Sequence, residues 1–198
     1  MFKRPAHEEH ESPQSPVVEV LQRLWQTKLS SIALLEKWRT ETSDTEIKAG
    51  LGSQLVDERR HATMIGEQIR RLGGRIGPSH KDGVTRVFED AQATSEDLTR
   101  LFTFYRGVKA YTVDRCIHLI PHVDAALGQV LDRLTLDEER HIRWADLRLE
   151  RLLTHERMRE CNLLMSRVWA SLEAGWERQW RYFSRLPLRR PGRHGPAA

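Results

Sequence analysis

Apolar residues return at steps of three and four along most of this chain, the period of amphipathic helices. The first such stripe is Val18, Leu21, Trp25, Leu29, Ile32 and Leu35, which predicts a helix from Pro16 to about Thr40. Ser43, with Glu46 three residues later, reads as the cap of a second helix running to about Leu72. Its inward positions are Ile47, Leu51, Leu55, Glu58, His61, Ile65 and Ile69, and Gly73-Gly74 closes it. Breakers at Gly77-Pro78 and Asp82-Gly83 mark a long connection from Gly73 to about Thr94, with a short helical piece over Val84–Ala93. Ser95 with Glu96-Asp97 opens a third helix, lined by Leu98, Phe102, Tyr105, Val108, Thr112, Cys116 and Leu119. After a turn at Pro121, a fourth helix runs from about His122 to Leu153. It turns Leu127, Val130, Leu134, Glu138, His141, Ala145, Leu149 and Leu152 inward. A fifth, from about Glu156 to Phe183, carries Trp169, Trp176 and Trp180 on one face.

Connection lengths set the expected topology. Short links join the first helix to the second and the third to the fourth, so each pair is an antiparallel hairpin. The link between the hairpins, roughly twenty residues, is long for a compact domain unless it crosses the length of a bundle. The expected fold class is therefore all-α: a four-helix bundle of two antiparallel hairpins with one long crossover, plus a C-terminal fifth helix. The expected segments are a disordered N-terminal tail over 1–15, the bundle over 16–155, a Trp-rich helix over 156–186 and a basic, Pro-rich tail over 187–198.

The two hairpins share a motif. Leu55-Val-Asp-Glu-Arg-Arg-His61 matches Thr135-Leu-Asp-Glu-Glu-Arg-His141 in the pattern Asp-Glu-x-Arg-His, 80 residues apart. Both copies fall on inward stripes in mid-helix. An unpaired carboxylate in an apolar core costs several kcal/mol, so buried charges are paired or bound to metal. Residues three apart on a helix share a face, so Glu58 with His61 and Glu138 with His141 could grip one ion. Two carboxylates and two imidazoles suit iron, manganese or zinc, unless no metal binds at all. Asp57 and Asp137, each four residues before its histidine, are expected to hydrogen-bond and orient it.

On these residues, the span from about Pro16 to Leu153 resembles the ferritin-like superfamily, most of all rubrerythrin-type carboxylate-bridged di-iron proteins. The resemblance implies oxygen or peroxide chemistry at a buried iron centre. It also implies one further Glu each from the first and third helices. This sequence departs from the pattern there. The levels opposite Glu58 and Glu138 fall near residues 28 and 104, and the inward residues read at those levels are Trp25 and Tyr105. Glu19, Glu36, Asp97 and Asp114 lie out of reach along their helices, whereas Arg106 or Lys109, turned inward, would neutralise the two glutamates without metal.

Three arrangements stay open. One is a single ion in a reduced site, with Tyr105 as ligand, hydrogen-bond donor or redox-active neighbour. Another is a metal-free polar network, and the third is a full di-iron site using other acids. The matching functions are an iron-dependent oxidoreductase or, alternatively, a metal-free degenerate ferritin-like bundle acting as a scaffold or protein-interaction module.

Composition narrows the rest. The net charge of +4 and pI near 9.3 owe much to the tail Leu188–His194, and elsewhere acids and bases alternate as on solvated helix faces. No nucleic-acid motif accompanies the charge. No stretch is apolar enough to span a bilayer, and the polar N-terminus lacks a secretory signal's apolar core. With only Cys116 and Cys161 there is no disulfide framework, which suits a cytoplasmic protein. The tryptophans of the fifth helix suit packing, with a homodimer or protein partner as the next use. Membrane-surface binding beside Arg178, Arg181 and Arg185 is the least favoured. His7, Glu8, Glu9 and His10 read as a solvated tail. No Gly-rich phosphate loop or Ser-His-Asp signature is present.

Overall fold

The computed structural model describes residues 15–77 and 83–183, and every regular element among them is helical. The expected tails and the histidines near the N-terminus fall outside these residues, as does the side chain of Trp180. Helix α1 spans Pro16–Glu41 and α2 spans Thr45–Arg71. The cap of α2 is Asp44 rather than Ser43: its carboxylate accepts the N–H groups of Glu46 and Ile47, two of the donors that a helix start leaves without partners. Gly73 ends α2 at φ 75°, and the Gly74 N–H returns to Ile69 O at 2.8 Å. This left-handed closure is one that glycine adopts without steric cost.

The crossover carries α3 (Gly83–Ala93), which seals the core with Val87, Phe88 and Ala91. Next comes a rod in three parts: α4 (Asp97–Arg100), a π-helical segment (Leu101–Lys109) and α5 (Ala110–Leu119). A single 3-10 turn, Ile120–His122, contains Pro121. Asp124 then caps α6 (Ala125–Leu152) through the Leu127 N–H, at the position 80 residues after Asp44. Finally, α7 spans His155–Phe183.

Helix α1 packs along α2, and α6 packs along α5 and the π-helical segment; α2 also touches α6, while α7 lies on α3 and the π-helical segment. Where α2 meets α6, Gly50 admits the Trp144 indole, since a Cβ there would stand 2.2 Å from Trp144 Cζ2.

The buried face of α1 differs from the expected stripe. It is a seven-residue repeat: Leu21, Lys28 and Leu35 on one line, Leu24, Ser31 and Trp38 on the other. Trp25, Leu29 and Ile32 are half-buried beside it. Leu152, expected inward on α6, is exposed, as is much of Trp169 on α7, whereas Trp176 is buried. Among the described residues no helix is long and apolar enough to cross a membrane.

Candidate functional site

The inward stripes of α2 and α6 bring the two Asp-Glu-x-Arg-His copies face to face, antiparallel, at the middle of the molecule. Glu58, His61 and Glu138 are fully buried and His141 nearly so. Two lysines fill the space opposite them. Lys28 of α1 and Lys109, the last residue of the π-helical segment, are 1 % and 2 % exposed. Lys28 stands at the level on α1 expected opposite Glu58, whereas Lys109 lies five residues past residue 104, the level expected opposite Glu138.

The ammonium of Lys109 bridges the glutamates: it donates to Glu58 Oε1 and, at 2.5 Å, to Glu138 Oε2, and it lies 3.3 Å from His141 Nδ1. Lys28 stands on the opposite side, donating to Glu138 Oε1 and lying 3.3 Å from Glu58 Oε2. Each carboxylate therefore joins two cations. The two halves are not equivalent. Glu58 Oε2 and His61 Nδ1 are buried atoms without a hydrogen-bond partner, and His61 Nδ1 faces Glu138 Oε1 at 3.6 Å.

The histidines are oriented crosswise rather than within each motif. Asp137 pairs with His61 Nε2 at 3.2 Å and Asp57 with His141 Nε2 at 2.9 Å. The reason is geometric. In its own helix each aspartate points toward the neighbouring helix, and the antiparallel crossing places the other motif's histidine there. A carboxylate only accepts, so each Nε2–H donates to its aspartate, while His141 Nδ1 faces both Lys109 Nζ at 3.3 Å and Glu138 Oε2 at 3.4 Å. The motif arginines complete the outer layer. Arg60 reaches Asp57 and Asp137 at 2.6 and 2.7 Å, and Arg140 reaches the same pair at 2.9 and 3.1 Å. Every specified residue of the motif is thus used, from the buried glutamates out to half-exposed guanidinium groups.

Four carboxylates meet two lysines and three arginines: Lys28 and Lys109 at the glutamates, and Arg60, Arg140 and Arg133 at the aspartates, Arg133 at 3.4 Å from Asp137. Burial alone would push the Glu138 carboxyl up, but Lys109 and Lys28 hold it well below its usual range. Burial would likewise strip the Lys28 proton, yet Glu138 and Glu58 outweigh it and raise that ammonium's pKa. Against the same opposing burial, His141 and Arg60 hold Asp57 down, and His61 with Arg133 holds Asp137 down.

Tyr105 is buried beside this cluster. Its phenol donates to Gln54 Oε1 at 2.6 Å, and its ring centre lies 5.7 Å from Lys109 Nζ. Burial, then the charges of Glu58 and Glu138, push its ionisation well above the ordinary tyrosine range. Trp25 is not in the cluster. It lies against Gly66, two turns along α2 from Glu58. Arg106 turns outward to Asp146 at 2.7 Å. Of the other acids, Glu36 pairs with Arg59 at 2.6 Å, Asp97 accepts from Trp38 and Thr42, and Asp114 pairs with Arg115.

Donor atoms of Glu58, Glu138 and His141 lie within 4.8 Å of one another, so this buried group could hold a metal ion. The missed residue is Lys28. Its sequence signal was the seven-residue spacing from Leu21 to Leu35, together with its place level with Glu58. No protein-family model, curated protein or solved structure matches this chain.

Proposed function

We propose that the chain is a ferritin-like four-helix bundle whose two metal positions are held by its own lysines, and that it serves as a metal-independent scaffold engaging a protein partner. One atom carries this reading. Lys109 Nζ touches Glu58, Glu138 and His141, the same three residues whose donor atoms suit a metal ion. Lys28 repeats the bridge from the other side. The bundle itself is supported by the two hairpins, the crossover between them and the caps Asp44 and Asp124 at matching positions. In a carboxylate-bridged site, four carboxylates balance two divalent ions; here two carboxylates balance two ammonium groups.

The donor set suits iron, manganese or zinc, but the charge balance does not. A divalent ion entering the cradle meets an ammonium already there, and it enters only if Lys109 leaves or sheds its proton. The partner role is supported by apolar side chains that α7 leaves in solvent, Met158, Leu163 and Trp169. A partner on this face is a second copy of the chain or another protein.

The second reading, an iron-dependent oxidoreductase with a reduced site, is favoured by the closeness of the three donors. Anaerobic incubation with ferrous iron, desalting and metal analysis separate the two. The scaffold reading expects substoichiometric iron and an unchanged melting temperature. One or two irons per chain with a raised melting temperature, lost in His61→Ala with His141→Ala, would refute it.

A further inference from the structure

Nine residues of π-helix, Leu101–Lys109, interrupt the rod between α4 and α5. Such segments are rare and gather at functional sites. A π turn shifts an N–H from the carbonyl four residues back to the one five back. In an α-helix the Ala110 N–H would go to Arg106 O, four residues back. It goes instead to Tyr105 O and Gly107 O. Arg106 O takes the indole N–H of Trp169, on α7, at 3.3 Å.

The next residue makes a second contact with α7. A Cβ at Gly107 would stand 2.7 Å from Val168 Cγ1, so only glycine lets α7 approach this closely. Two residues further on, Lys109 enters the cradle. Helix α7 therefore holds the segment twice, at the carbonyl that the Ala110 N–H passes over and at the residue beside it.

We infer that α7 is a latch on the π register: docked through Trp169 and Val168, it keeps Lys109 in the Glu58–Glu138–His141 cradle, and released, it lets the turn relax to α-helix and draws Lys109 out. This device presupposes Lys109 as the resident cation, the reading proposed above. Losing the extra residue of a π turn rotates one side of the helix by about 100°, one residue's step at 3.6 per turn. That is enough to carry a side chain from the core face to a flank. Trp169 also borders a groove of about 650 Å³ between α6, α7 and the π-helical segment, lined by Phe102, Leu149, Met158 and Met165. Its ring has room to leave Arg106 O without unfolding the core.

Brief acetylation of the native protein with acetic anhydride, read lysine by lysine by peptide mass spectrometry, tests the latch. Trp169→Phe keeps an aromatic ring and loses the N–H. Lys28 is the internal control, because it is buried in the same cluster but carried by α1. In the wild type both lysines stay protected. In Trp169→Phe, Lys109 reacts roughly tenfold faster, as local opening demands, while Lys28 stays protected. Gly107→Ala does the same, and adding Val168→Ala restores protection by making room for the new Cβ. If Lys109 stays as protected as Lys28 in both single variants, there is no latch. If both lysines react faster together, the whole core has opened, which also overturns it. Rapid labelling of Lys109 in the wild type overturns the resident-cation reading and the latch with it.

Discussion

Replacing Lys109 by methionine is the sharpest perturbation of the buried cluster. Methionine keeps the length of the side chain and removes one charge, so Glu58 and Glu138 are left with Lys28 alone. The contact between Lys109 and Glu138 is 2.5 Å, and that between Lys28 and Glu58 is 3.3 Å. A unit pair at the longer distance is worth about 5 kcal/mol of Coulomb attraction at an effective dielectric constant near 20. Desolvation of the charges offsets part of that, and removing one partner of a buried pair typically costs about 3–5 kcal/mol. A domain of this kind holds about 5–15 kcal/mol in total, so Lys109→Met should lower the melting temperature strongly.

The pH dependence should also change sign. In the wild type the Glu138 carboxyl is held below its usual range, so its contribution is present above the unfolded-state value and is lost as pH falls. In Lys109→Met the surplus buried carboxylate has its folded pKa raised, so stability is greatest in acid and falls as pH rises through that pKa. Urea unfolding from pH 3 to pH 8 measures both effects, because the wild-type loss falls below the ordinary glutamate value of 4.5 and the variant's loss falls above it. The quadruple variant Lys28→Met, Lys109→Met, Glu58→Gln, Glu138→Gln removes all four charges and should be neutral or stabilised by about 1–4 kcal/mol. Lys109→Met with wild-type stability and an unchanged pH slope would refute the charge balance described here.

Other outcomes follow from local geometry. Gly50→Ala places a Cβ 2.2 Å from the Trp144 indole and should cost about 1–3 kcal/mol by forcing α2 and α6 apart, read by thermal melting. Asp44→Ala removes the acceptor for two N–H groups at the start of α2 and should cost about 1 kcal/mol, read by urea titration. Cys116 is fully buried, and burial, with help from Glu138 and against Lys28, pushes its thiol up to about 12. Iodoacetamide at pH 8 should leave Cys116 unmodified until denaturant is added, as mass spectrometry will show.

The sequence by itself determined the helices, the two hairpins and the matched motifs, because periodicity, turn residues and repeat spacing are local properties of the chain. It also placed Glu58, His61, Glu138 and His141 on buried stripes, since their helices are apolar on both sides of them. The N-terminus of α2 was legible to within a residue, because Ser43 and Asp44 are both good caps and only the hydrogen bonds tell them apart. Lys28 was hidden. An apolar stripe drawn through Trp25, Leu29 and Ile32 runs beside the true face of α1, and an isolated lysine reads as solvated. Only the tertiary structure decided that Lys28 turns inward. It did so because the two buried glutamates on α2 and α6 make a site where an ammonium is more stable than in water. It also decided that each aspartate serves the other motif's histidine, that Lys109 rather than Arg106 enters the core, and that a π turn held by α7 delivers it. Those outcomes depend on which helices face each other, and no single stretch of the chain encodes that.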